Sequence, residues 1–411
     1  MKLVYIVSWL FALAVSFVSC DDWLDKTPKD RLYPDVYFKT EDELRLFTNQ
    51  FYNNLVPSAV DIYSESSDLI VKSDLMLEMS GQRIIPDEGN GWNFTALRDI
   101  NFYLQYSHNC TEVNARNRYD GVARFFRAYF YFEKVKRYGD IPWYDKALDS
   151  DDPELYKARD SREFVMQKML EDLDFAIANL PKTKNAYVLT RWTALALKSR
   201  VCLFEGTFRK YHGLEDYEKY LNACVSASET FMNESGYTLY KSGSTPYRDL
   251  FASINLQADE VIFGRDYEAS LSVLHNVQNY ENSTTMGRPG MNKKIVNSYL
   301  MADGSRFTDK AGYETMTFDQ ECQNRDPRLA QTIRTPGYTR IGSTKKEAPN
   351  LAYTMTGYHL IKYSMTANYD EYNKSCNDIP LFRTAEVYLN FAEAKAELGT
   401  LKQADINKSI K

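Results

Sequence analysis

Hydrophobic side chains recur at intervals of three and four residues through much of the chain, which is the spacing of amphipathic helices. This pattern predicts helices at about 40–55, 117–138, 160–180, 190–208, 216–232 and 383–399. Several of them carry apolar side chains on two faces, so they are expected to contact neighbours on both sides, as in stacked helical hairpins. The helix pairs recur about every 35–45 residues, which is typical of tetratricopeptide-like units, although the full motif of that repeat is absent.

The pattern changes between about residues 236 and 380, where Gly, Pro, Asn and Asp turn signals are frequent. Short runs such as 261–263 and 358–363 interrupt them and are predicted to be extended. Residues 57–110 have a similar, loop-like pattern. We therefore predict a mostly α protein with tetratricopeptide-like helical hairpins at 20–235, packed against an irregular, loop-rich part at 236–380. Ligand-binding residues commonly collect in loops that a rigid scaffold carries. Residues 381–411 begin a C-terminal helical pair.

The N-terminus predicts the cellular compartment. Lys2 precedes an apolar run at 3–18, which is too short for a bilayer span but typical of a signal peptide. Cys20 follows this run and is itself followed by Asp21 and Asp22, as in a bacterial lipobox. We predict a signal peptide at 1–19 and a lipid on Cys20 that anchors the mature chain without spanning the membrane. The alternative is a buried Cys20 behind an ordinary signal peptide.

The composition narrows the possible functions. The 56 acidic residues exceed the 50 Lys and Arg residues, and the net charge of -6 argues against nucleic acid as a partner. The other five cysteines and the four histidines follow no disulfide or metal-ligand spacing, so neither a metal nor a cofactor is expected. We predict that Cys202 and Cys224 are small core residues. The 31 Tyr and 22 Phe residues suit recognition surfaces as well as cores.

Five segments carry a resemblance to a known family. They are FFRAYFYFEKVKRYGDIPW at 125–143, RWTALALKSR at 191–200, MADGSR at 301–306, NRDPRL at 324–329 and IPLFRTAEVYLNFAEA at 379–394. Their sequences and their order resemble those of the SusD/RagB family of outer-membrane nutrient-binding lipoproteins of Bacteroidetes.

The resemblance implies a function without catalysis. It implies a surface-exposed lipoprotein of the cell outer membrane that binds a glycan, or sometimes a peptide, and delivers it to a SusC-like TonB-dependent transporter. Members of the family continue well beyond the helix at 383–399, so the resemblance implies a C-terminally truncated chain. We then expect one stripe of that helix, formed by Val387, Phe391, Ala394 and Leu398, to be partly uncovered.

A sugar ring presents apolar C–H faces and a rim of hydroxyls, so aromatic side chains stack on it while polar side chains bond its rim. Trp92 is the candidate platform by elimination. The other four tryptophans lie in the signal segment, beside the anchor, in the first hallmark segment and on a helix core. Asn93 beside it and Arg83 nearby are candidate polar contacts. The alternatives are that Trp92 packs into the core and that Arg83 is a solvated surface residue.

The resemblance also places ligand contacts in the general stretch 266–288, where Tyr267, Tyr280, Asn282 and Arg288 are candidates. No motif fixes these positions, so a purely structural role is the alternative for each. Two other functions remain open from the sequence. One is a helical-repeat scaffold lipoprotein without a small ligand, and the other is a surface glycoside hydrolase with two catalytic carboxylates. No nucleophile elbow, phosphate-binding loop or zinc signature supports an enzyme.

Overall fold

A computed structural model describes residues 36–63, 67–86, 89 and 91–410. The predicted signal peptide and Cys20 lie outside the described residues. Within the described part, no helix combines the length and the apolar character that a membrane crossing requires.

Helices dominate the structure. They are α1 (Glu41–Leu55), α2 (Val60–Tyr63), α3 (Leu77–Ser80), α4 (Thr95–Tyr106), α5 (Val113–Tyr138), α6 (Arg162–Asn179), α7 (Arg191–Tyr211), α8 (Tyr217–Glu234), α9 (Pro246–Ala252), α10 (Val277–Asn282), α11 (Lys293–Ser298), α12 (Phe318–Glu321), α13 (Thr384–Glu397) and α14 (Gln403–Ser409). The strands are β1 (Ile70–Val71), β2 (Val261–Arg265), β3 (Gly290–Met291) and β4 (Ile379–Arg383).

The long helices form side-by-side pairs, as the apolar pattern predicts. α5 packs on α6, α7 on α8, and α13 on α14, while α1 and α4 cover α5. The centre of α5 is buried on nearly all sides, because Phe125, Phe126, Tyr131 and Phe132 contact neighbours in different directions. Cys202 and Cys224 are fully buried, which confirms their prediction as core residues.

The expectation of a partly uncovered stripe on α13 is wrong for most of the stripe. Val387, Phe391 and Ala394 are buried, because α13 packs against α7, α8 and α14. Leu398, at the C-terminal end of the stripe, is half-buried. The loop-like pattern predicted for 57–110 is also wrong in part, since residues 95–106 form α4. That helix buries Leu97, Ile100 and Tyr103 on one face.

Two antiparallel ribbons organise the loop-rich part. β1 pairs with β3, and β2 pairs with β4 in a register that runs from Val261 opposite Arg383 to Arg265 opposite Ile379. The run at 261–263 is therefore extended, as predicted, whereas 358–363 forms only isolated bridges. Between the ribbons the chain forms short helices and turns around smaller cores.

Candidate functional site

A cavity of about 300 Å³ opens beside the N-terminal end of α4. Its walls come from the segment before α4, from α4 itself, and from the chain that follows α5. The lining combines aromatic, aliphatic and cationic side chains: Trp92, Phe94, Thr95, Leu97, Arg98, Asn101, Tyr144, Lys146, Leu148 and Leu155. Such a mixture can contact both the apolar face and the polar rim of a small organic ligand.

The first of the five family-like segments supports one wall of this cavity from the side of the protein interior. Arg127 on α5 donates two hydrogen bonds to Asp172 on α6, at 2.6 and 2.8 Å, and a third to Asn101 Oδ1 on α4 at 3.2 Å. Asn101 Nδ2 in turn donates to the carbonyl oxygen of Tyr144 at 2.8 Å. The Tyr131 hydroxyl accepts a hydrogen bond from the Tyr144 amide at 2.6 Å. These buried contacts fix the Tyr144 segment against α4 and α5.

Trp92 is neither a fully exposed platform nor a residue packed into the core. Its side chain is 39% exposed and lines the cavity. Its ring also makes edge-to-face contacts with Phe94 and Tyr138, at centroid distances of 5.3 and 4.9 Å. The guanidinium carbon of Arg159 lies 5.0 Å from the Trp92 ring centroid. Trp92 is thus held in place by aromatic neighbours and still offers surface to a ligand.

Asn93 faces a second cavity, of about 500 Å³, which shares Thr95 with the first. The Asn93 Oδ1 atom accepts a hydrogen bond from the Thr95 amide at 2.8 Å, which orders the turn into α4. Lys134 lines the same cavity and donates to the Gly91 carbonyl oxygen. Burial, reinforced by the nearby Arg137 cation, lowers the pKa of Lys134. Trp92 and Asn93 therefore lie at two neighbouring openings.

The remaining predicted site residues lie elsewhere. Arg83 is exposed, forms an ion pair with Glu78 at 3.6 Å, and does not line the Trp92 cavity. Tyr267 is buried, and its hydroxyl accepts a hydrogen bond from the Ala59 amide at 2.8 Å. Tyr280 is also buried, with its ring 5.8 Å from that of Tyr63.

Asn282 lies in a buried polar cluster. Its amide nitrogen donates to Ser364 Oγ at 2.9 Å, and its Oδ1 atom accepts from Arg334 and Arg340 at 2.8 and 3.2 Å. Arg288 is partly buried and donates to the carbonyl oxygens at 351 and 352. The structure therefore places Trp92 and Asn93 at neighbouring openings, and none of the candidate residues at 266–288 lines either opening. A ligand at the surface would not reach the buried side chains of Tyr267, Tyr280 and Asn282.

The structure adds residues that the sequence analysis missed, among them Phe94, Arg98, Tyr144 and Lys146. The apolar spacing of 97, 100 and 104 could have revealed α4 and, with it, the position of Arg98 on its first turn. The position of Tyr144 follows from its contacts with α4 and α5, which connect residues that are distant in sequence. No local pattern carries that information.

Comparisons with known proteins agree with this architecture. The model of the SusD family matches residues 250–411, and a second model, described as "Starch-binding associating with outer membrane", matches residues 81–191. A SusD-like protein P2 from Formosa agariphila is 25% identical, with 94% of this chain and 76% of that protein aligned.

Solved structures confirm the mostly α, tetratricopeptide-like fold. A SusD-like protein from Bacteroides fragilis superposes with a TM-score of 0.71 at 21% identity, covering 93% of this chain and 80% of the other. A SusD-like carbohydrate-binding protein from the same species has a TM-score of 0.70 at 18% identity, covering 91% and 77%. The two family models together cover more than half of this sequence, and the fold agrees with them. The chain is therefore similar to the SusD family in sequence over these two stretches, and to SusD-like proteins in fold over most of its length.

Proposed function

We propose that this protein is a surface-exposed lipoprotein, anchored to the outer membrane through Cys20, that binds an oligosaccharide or polysaccharide. It delivers this nutrient to a SusC-like TonB-dependent transporter and performs no catalysis on it. The main support for this proposal is the cavity beside α4. There the partly exposed Trp92 lies next to hydrogen-bonding and cationic side chains.

The chemistry of the lining supports a sugar as the ligand. The rings of Trp92, Phe94 and Tyr144 supply apolar surface for C–H faces, while Thr95 and Lys146 supply groups that can bond hydroxyls. The similarity to a carbohydrate-binding relative and to a family model described as associating with the outer membrane supports the same class of ligand and the same location.

Isothermal titration calorimetry with a panel of plant and algal oligosaccharides tests the proposal. For the glycan that binds, Trp92→Ala should weaken affinity by about 1–3 kcal/mol, or about 5- to 150-fold, because a central aromatic contact is lost. Tyr372→Ala is the matched control, since this tyrosine is 67% exposed and lies outside the cavity lining. In cells that lack the native gene, the Trp92→Ala protein should also restore uptake of that glycan less well than the unaltered protein.

Other outcomes would favour the alternative functions. Unchanged glycan affinity in Trp92→Ala would remove this cavity from the binding site. Association with the transporter but no binding to any glycan or peptide would favour the scaffold function. Release of reducing sugar by the purified protein would favour a glycoside hydrolase.

A further inference from the structure

Arg98, at the cavity beside α4, and Arg159, against the Trp92 ring, lack an acidic partner among the described residues. Arg98 lines the cavity, and its Nε atom donates to the Leu148 carbonyl oxygen at 3.2 Å, which leaves the terminal nitrogens of the guanidinium available. Arg159 is exposed and lies against the Trp92 ring, with its guanidinium carbon 5.0 Å from the ring centroid. Within the described part of the chain, neither arginine forms an ion pair.

Further cations surround the same opening. Lys134 and Arg137 lie on the last turns of α5 and, with Gly91, line a shallow depression next to Trp92. Burial lowers the pKa of Lys134, and the nearby Arg137 cation adds to this effect. Glu133 in the same depression is already engaged, because its carboxylate pairs with Lys136 at 2.7 Å.

Three acidic side chains near the cavity form no ion pair with Arg98 or Arg159 in the described structure. Glu154 and Asp152 pair with Lys146, at 3.0 and 3.8 Å, so these two carboxylates offset a different cation of the lining. Asp99 lies close enough to Arg98 for the cation to lower its pKa, but burial outweighs that effect and raises the pKa overall. Asp99 lines the second cavity and makes no ion pair with Arg98 in the described structure.

From this arrangement we infer that the site selects acidic sugars, meaning rings that carry a carboxylate or a sulfate ester. The inference rests on the proposed glycan-binding function and adds the chemical class of the ligand. A sugar in contact with Trp92 would lie beside the Arg159 guanidinium, in a cavity that Arg98 also lines. A guanidinium can donate two parallel hydrogen bonds to one oxyanion, and charge-assisted bonds of this kind are about twice as strong as neutral ones.

The test uses pairs of ligands that share one sugar backbone and differ in a charged substituent. Calorimetry measures the affinity of the purified full chain for each member of two ligand pairs. The first pair is tetragalacturonate and its methyl-esterified form. The second pair is a sulfated galactan tetrasaccharide and its desulfated form. We expect the charged member of at least one pair to bind about tenfold more tightly, equivalent to about 1.4 kcal/mol. The pair in which the charged member binds more tightly shows whether the site prefers a carboxylate or a sulfate. The preference should also shrink between 50 and 300 mM NaCl, as expected for exposed charges.

Substitutions of the two arginines test whether they cause the preference for charged ligands. Arg98→Gln/Arg159→Gln should reduce the ratio of the charged-ligand to the neutral-ligand affinity to about twofold or less, and this ratio is the readout whatever the variant does to neutral-ligand affinity. Arg45→Gln on α1 is the control, because this exposed arginine already pairs with Asp42 at 3.1 Å. Equal affinity for charged and neutral ligands, or a preference that persists in the double variant, overturns the inference but leaves the proposed function intact. Failure of every glycan to bind overturns both.

Discussion

The buried ion pair between Arg127 and Asp172 supports both the stability of the fold and the shape of the cavity. Asp172 is 2% exposed and accepts two hydrogen bonds from Arg127, while Arg124 approaches the same carboxylate at 3.6 Å. Asp172→Asn keeps the size of the side chain but leaves these guanidinium groups without a buried counter-charge. Removing one partner of a buried pair costs about 3–5 kcal/mol. We expect the free energy of unfolding, measured by urea denaturation, to fall by that amount.

The same substitution should weaken glycan binding, because Arg127 also holds Asn101, which in turn holds the Tyr144 wall of the cavity. Asp174→Asn on the same helix is the control. Asp174 pairs with Lys198 at the surface, where such pairs contribute less than about 1 kcal/mol.

A double variant separates the buried charge from a general loss of packing. Arg127→Met/Asp172→Leu replaces both charges by apolar side chains and should recover much of the lost stability, since the buried Arg127 charge is removed together with its counter-charge. The reasoning is refuted if Asp172→Asn unfolds within about 1 kcal/mol of the unaltered protein. It is also refuted if the double variant is less stable than the single one.

Two further predictions concern the interior. His359 is buried and bonds the Glu281 carbonyl oxygen at 2.8 Å; burial, aided by a nearby arginine, lowers its pKa to about 3, below the unfolded value of about 6.5. Its contribution to stability is therefore complete above about pH 6.5 and is lost as the pH falls towards 3. NMR should show a neutral ring at pH 5, and a protonated ring there would contradict the burial argument. Gly206→Ala should lower the free energy of unfolding by about 1–3 kcal/mol, because its Cβ would lie 2.7 Å from Leu221. Gly121→Ala, whose nearest neighbour would be at 3.4 Å, should not, and equal stability losses would contradict the prediction.

Much of the helical architecture could be predicted from the sequence because its signals are local. The capping box formed by Thr40 and Glu43 begins α1, and Thr190 caps α7, where an amphipathic pattern predicts a helix. The burial of α13 could not be predicted in this way. Whether its second stripe is covered depends on how α7, α8 and α14 meet it, which is tertiary information.

The residues of the candidate site could be predicted less well from the sequence than the helices could. Trp92 could be selected because few tryptophans remain once the hallmark and helix positions are assigned. Tyr267, Tyr280 and Asn282 have residue types that are common in sugar sites, but the same types also serve buried hydrogen-bond clusters. Their hydrogen bonds and ring contacts are made by residues distant in sequence, so composition alone cannot separate a ligand contact from an internal one.

The β2–β4 ribbon has a consequence for how this protein can vary. Since Arg265 and Ile379 are paired neighbours, the intervening chain departs from the helical layers and rejoins them at adjacent points. Insertions, deletions or replacement of the chain between Arg265 and Ile379 need not change the distance between these two residues, which the strand pairing sets. A chimera that receives the corresponding excursion from a relative, joined at these two residues, would keep the helices in register while presenting a different outer surface.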